Sequence, residues 1–77
     1  MYDAEKFLET FGPTLARMRK EKGMSQFDMC EEAGLSRPPA SYWETGRRLP
    51  SLHSFLCILN ALGMTADEML KECEVDE

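Results

Sequence analysis

The sequence predicts an all-α fold, five short helices in one compact domain, and three observations carry that expectation. Apolar residues recur at spacings of three and four, the period of a helix face. Serines and threonines stand where helices would begin, and glycines stand where they would end. No stretch alternates apolar and polar residues as a half-buried strand would.

Phe7, Phe11, Leu15 and Met18 form the first stripe. Gly12-Pro13 interrupts it, so this helix either begins near Pro13, where proline suits the first position, or bends there. It ends at Gly23, with Arg19, Lys20 and Lys22 in the last turn, where the helix dipole favours cations. Ser25 caps a second helix with Asp28 as its capping-box partner. Met29, Cys30 and Ala33 face inward there, and Gly34 closes the helix. A third helix runs to about Glu44 and stops at Thr45-Gly46. The loop Arg47-Arg48-Leu49-Pro50 leads to Ser51, the cap of a fourth helix whose apolar face holds Leu52, Phe55, Leu56, Leu59 and Leu62 before Gly63. Thr65 and Glu68 form a capping box for a fifth helix bearing Met69 and Leu70. Beyond Glu72 the tail "ECEVDE" is expected to fray. The organisation is thus an N-terminal helical extension (1–12), a helical domain (13–72) and an acidic tail (73–77). Trp43 is a core residue, and Met24, Met29, Leu35, Leu49, Leu52, Phe55, Leu59 and Met69 are expected to pack with it.

Composition narrows the function. Seventy-seven residues, 43% hydrophobic, suit one small globular domain. No apolar run approaches a membrane span and no signal peptide opens the chain, so a cytoplasmic protein without a membrane partner is expected. Cys30, Cys57 and Cys73 are far apart, and a single His, His53, cannot complete a tetrahedral zinc set with them, so no metal is expected. Without a base–nucleophile pair or a Gly-rich phosphate loop, neither an enzyme nor a cofactor is expected. His53 falls in the first turn of the fourth helix and is expected to be exposed.

The net charge of −5 argues against a polyanionic partner until its distribution is considered. Residues 1–12 carry net −2 and residues 51–77 carry net −5, but residues 13–50 carry net +2. Fields are screened beyond roughly 8 Å at physiological salt, so the local basic region outweighs the total.

The segment from "LARMRKEKGMSQFDMCEEAGLSRPPASYWETGRRLP" to "ALGMTADEML" resembles the phage-repressor type of helix-turn-helix domain, the Cro-like or Xre-like family. The likeness runs from Gly12 to about Lys71. Its markers are Arg19, Gly23, Ser25-Gln26, Gly34-Leu35-Ser36, Ser41, Trp43-Glu44, Gly46, Pro50 and Leu62-Gly63, standing in order. Met29-Cys30, Ala40 and the paired prolines depart from the family pattern.

The resemblance implies a transcriptional regulator, a repressor by expectation. It would bind a double-stranded DNA operator as a homodimer, on an inverted repeat, with helix three in the major groove. It implies base reading by Arg37, Pro38, Ser41 and Tyr42. Phosphate contacts fall to Gln26, Ser36, Arg47 and Arg48, and a structural pair joins Arg19 to Glu44. Arginine can donate two hydrogen bonds to guanine. Tyr42 can instead pack along Arg37 or Arg48. The alternative is a helix-turn-helix module used for protein–protein contact, antitoxin-like or adaptor, which the acidic ends and altered reading helix keep open. No effector domain is expected, so blocking access to a promoter is the simplest mechanism. Met64 and Leu70, with Val75 if the tail orders, are the expected dimer contact.

"SRPPAS" raises a local conflict. A cap from Ser36 in the usual register needs the N–H groups of Pro38 and Pro39, which have none. Residues before proline are also pushed out of the α region. The helix is therefore expected to start late, at Pro38 or Pro39, with Arg37 extended just ahead of it and the prolines offering an apolar surface to a thymine methyl.

Overall fold

A computed structural model describes residues 2–36 and 39–75. Five helices follow in order: α1 (Ala4–Glu21), α2 (Gln26–Glu32), α3 (Ala40–Glu44), α4 (Leu52–Leu62) and α5 (Ala66–Glu72). No helix of the described residues is long and apolar enough to cross a membrane.

α1 does not begin at Pro13. It runs unbroken from an Asp3 cap, whose carboxylate accepts from the Lys6 amide at 3.1 Å. Pro13 and Glu9 are both exposed, so the carbonyl that the missing proline N–H leaves unpaired lies on the solvent side. The neighbouring Gly12 explains why this stretch must be so slim. A Cβ there would lie 2.6 Å from the Glu44 carbonyl oxygen and 2.9 Å from that of Trp43. The first and third helices therefore touch backbone to backbone, an approach that only glycine permits.

The inner stripe of α1 carries the core outward from that contact. Phe7 stacks on Phe11 at 5.1 Å between ring centroids, and Phe11 meets Phe55 of α4 at 5.8 Å. Leu15, Met29, Ile58, Leu62 and Met69 complete a fully buried centre, and Trp43 closes it from α3. The caps expected at Ser25, Ser51 and Thr65 all form, with reciprocal capping boxes at Ser25–Asp28 and Thr65–Glu68. The Ser25 amide and hydroxyl hold the Asp28 carboxyl below the usual carboxylate range. Gly63 ends α4 in the left-handed conformation, φ 68°.

Two expectations fail. The tail does not fray at residues 73–75: Cys73 and Val75 are fully buried, and the Asp3 amide donates to the Val75 carbonyl at 2.9 Å. The Thr10 hydroxyl donates to the Cys73 carbonyl at 2.8 Å, and Arg17 pairs with Glu72 at 2.8 Å. Both ends of the chain are thus fastened together, a long-range arrangement that local polarity conceals. Leu49 and Leu52 are not core residues either, being 49% and 73% exposed. Helix α4 is apolar over more of its circumference than the core can cover, and Phe55, Ile58, Leu59 and Leu62 take the inward positions.

Gly12→Ala should destabilise the domain by about 1–3 kcal/mol through overpacking, although alanine in a helix is ordinarily worth about 1 kcal/mol over glycine. Urea unfolding of the two chains checks this, and an equal or higher midpoint for the variant would contradict the close approach.

Candidate nucleic-acid interface

The outer surface of α3 and the loop after it depends on how the helix is anchored from below. Arg19 of α1 reaches Glu44 through two parallel hydrogen bonds, Nε to Oε2 at 2.7 Å and Nη2 to Oε1 at 3.0 Å. Its remaining Nη1 donates to the Met24 carbonyl at 2.7 Å. The two side chains are only 11% and 7% exposed, so this is a buried, bidentate pair with its donors engaged. Bonding to Glu44 raises the already high pKa of Arg19 further, keeping it cationic. Gln26, at the head of α2, donates Nε2 to Glu44 Oε1 at 3.1 Å. One carboxylate therefore ties α1, α2 and α3 together.

Above that anchor α3 is five residues long, with Ala40 and Trp43 facing the core and Ser41 and Tyr42 exposed. Its first helical residue is Ala40, one beyond the latest start expected, and Pro39 is the cap, at φ −83° and ψ 57°. A cap residue needs only its carbonyl, and that of Pro39 accepts from Tyr42 and Trp43 at 2.9 and 3.1 Å. The missing proline N–H costs nothing there. No side chain caps this helix. Arg37 and Pro38, to which base reading and the late helix start were assigned, lie outside the described residues.

Tyr42 is 42% exposed and sits beneath two guanidinium groups, with the Cζ atoms of Arg47 and Arg48 at 5.9 and 5.7 Å from its ring centroid. The loop is folded back to make this possible, because the Arg47 and Arg48 amides both donate to the Tyr42 carbonyl. The result is one exposed cluster of an aromatic ring and two cations within cation–π range. Ser36, six residues before Tyr42, is exposed and lines a groove of about 480 Å³ with Gln26, Phe27, Cys30, Leu35 and Ser41. Phe27, to which the sequence assigned no role, is 71% exposed on the rim. An aromatic between polar Gln26 and Asp28, off the face of Met29 and Cys30, was the available signal. His53 is exposed on α4, with its Nε2 at 3.6 Å from the Cys57 sulfur.

Residues 10–71 match the family model described as a helix-turn-helix domain. The chain belongs to this family. Its relatives include the transcriptional activator BcrR of Enterococcus faecalis, 33% identical over 60 residues, which are 78% of this chain and 29% of that protein. The regulator YqaE of Bacillus subtilis is 33% identical over 61 residues, 79% of this chain and 53% of YqaE. The regulator y4dJ of Sinorhizobium fredii is 34% identical over 59 residues, 77% of each chain. This chain thus spans well under two thirds of the length of the first two. These relatives are named as transcriptional regulators, not enzymes. The helix-turn-helix fold is seen also in a crystal structure of a point mutant of the restriction-modification controller protein C.Esp1396I. That structure superposes with a TM-score of 0.77 at 23% identity, covering 96% of this chain and 91% of the other.

Replacing Glu44 by Gln should cost about 3–5 kcal/mol, because it leaves a buried guanidinium without its counter-charge. For a domain of this size each kcal/mol lowers the melting temperature by roughly 4–8 °C, so thermal unfolding followed by circular dichroism resolves it easily. A shift of only a degree or two would mean that the pair is not buried in solution.

Proposed function

We propose that this helix-turn-helix chain is a sequence-specific, double-stranded DNA-binding transcriptional regulator that presents α3 to the major groove. The observation that carries the reading is the cluster of Tyr42, Arg47 and Arg48. It is exposed on the outer side of a helix whose inner side is locked to α1. Two cations held over an aromatic ring, in a chain of net charge −5, gather positive potential at one place.

The residues divide by what they can touch. Arg47 and Arg48, in the loop, contact phosphates and supply affinity without sequence information. Gln26 and Ser36 contact the backbone from the other side, with Gln26 held in position by Glu44. Ser41 and Tyr42 face base edges from α3. Arg37 donates to guanine from just ahead of the helix, and Pro38 offers an apolar face to a thymine methyl. The chain acts as a homodimer on an inverted repeat with half-sites about 10 base pairs apart, and it represses by occupying the promoter.

Selection of bound duplexes from a random pool, followed by anisotropy titration, tests the reading. Arg37→Ala should lose about 1–3 kcal/mol at one base position and relax preference there. Arg48→Ala should weaken every sequence alike and reduce the salt slope by about one. Binding through several phosphates must fall by orders of magnitude between low and high salt. Binding that ignores salt would instead favour an apolar protein partner for the Phe27 groove, and equal loss on specific and random DNA for Arg37→Ala would remove its reading role.

A further inference from the structure

The outer side of α4 carries two side chains that neither the core nor the interface built on α3 uses. His53 and Cys57 stand four residues apart, one turn along the same face of the helix. His53 is exposed and Cys57 is half-buried. The imidazole Nε2 lies 3.6 Å from the Cys57 sulfur, and Nδ1 lies 4.0 Å from it.

We propose that His53 Nε2 and the Cys57 sulfur chelate one thiophilic divalent metal ion of the zinc kind within a single chain, with water filling its remaining positions.

Geometry is the first support. A tetrahedral zinc, with bonds of about 2.3 Å to sulfur and about 2.0–2.1 Å to nitrogen, holds two such ligands about 3.5–3.6 Å apart. The pair already stands at that separation. Without an ion the contact is a weak sulfur–imidazole hydrogen bond, which keeps the two donors together and leaves little rearrangement for binding. The helix sets the spacing, because side chains four residues apart lie on neighbouring turns and can share one zinc. The backbone beneath them is held from both ends. Ser51 accepts from the Ser54 amide at 3.1 Å, and Phe55, Ile58 and Leu59 pack the inner side.

Donor chemistry selects the ion. Imidazole nitrogen and thiolate sulfur suit zinc and its transition-metal neighbours, whereas magnesium and calcium take shells of oxygen. On binding, the Cys57 S–H bond breaks, its electron pair becomes the sulfur–metal bond and the proton leaves to solvent. His53 contributes the lone pair of its neutral ring. Cys30 and Cys73 do not compete. Both are buried, and burial pushes their thiol pKa values up, away from the thiolate that a metal needs.

The expectation of no metal is drawn for a closed set of four protein ligands. Among the described residues no three His, Cys, Asp or Glu side chains are grouped to hold an ion, so the site proposed is an open one. Two protein ligands make the ion exchangeable and its affinity micromolar, far weaker than that of a closed structural site.

Titration of the whole reduced chain with cobalt(II), a spectroscopic stand-in for zinc, is the decisive measurement. The parent should take up one ion per chain, with a thiolate-to-cobalt charge-transfer band in the near ultraviolet. Zinc should displace the cobalt and bleach the band, and excess magnesium should leave it unchanged. Cys57→Ser should abolish the band with unchanged helical circular dichroism. His53→Gln should weaken cobalt binding by roughly tenfold or more, since losing even a supporting partner of a ligand costs that much. If Cys57→Ser loses its helical signal, alkylation of the folded parent takes its place. Cys57 is the one cysteine of the three that is not buried, and blocking it should prevent cobalt uptake. A parent without the band, a Cys57→Ser variant that keeps it, full affinity in His53→Gln, or one ion shared between two chains would each overturn the proposal. The titration contains no DNA, so its result stands apart from the DNA-binding reading.

Discussion

Glu44 is bonded on every side. It accepts two bonds from Arg19 and one from Gln26, and Arg19 spends its remaining fork on the Met24 carbonyl. A five-residue helix has too few internal hydrogen bonds to persist alone. Its direction is imposed by this carboxylate from beneath and by Trp43 and Ala40 in the core. The Gly12 contact brings α1 directly against the backbone of Trp43 and Glu44. Everything presented on the outer side of α3 inherits its position from that buried pair.

The charges fall into separate duties. Buried charge is concentrated in one fully bonded network, where the low dielectric strengthens it and makes a missing partner costly. Exposed basic charge gathers over Tyr42. Acid at the chain ends serves partly as fastening, with Glu72 bonded to Arg17 next to the Asp3–Val75 hydrogen bond. Such exposed pairs contribute little individually. The seal over the core comes from the buried Cys73 and Val75, and burial in turn pushes the Cys73 thiol pKa up, as it does that of Cys30.

The paired prolines show how a local rule works and where it stops. The reasoning that proline cannot supply N–H groups to a Ser36 cap holds, and no side chain caps α3. The helix nevertheless starts at Ala40, one residue beyond the latest start expected. Steric and hydrogen-bond rules state where proline is tolerated, and both the cap and the first helical position qualify. Pro39 takes the cap, at φ −83° and ψ 57°, and no local rule chooses between the two positions.

The sequence determined the five helices, the caps of α2, α4 and α5 and the glycines that follow the helix ends, while the family resemblance implied the pairing of Arg19 with Glu44. Period, capping chemistry and ordered markers are encoded within a few residues of each other. Tertiary structure decided the rest. It carried α1 through Gly12-Pro13, because the proline faces solvent while the glycine meets the backbone of α3. It buried Val75 and exposed Leu52, exchanging their expected places. An apolar residue is buried only when another element covers it, and which element does so depends on partners distant in sequence.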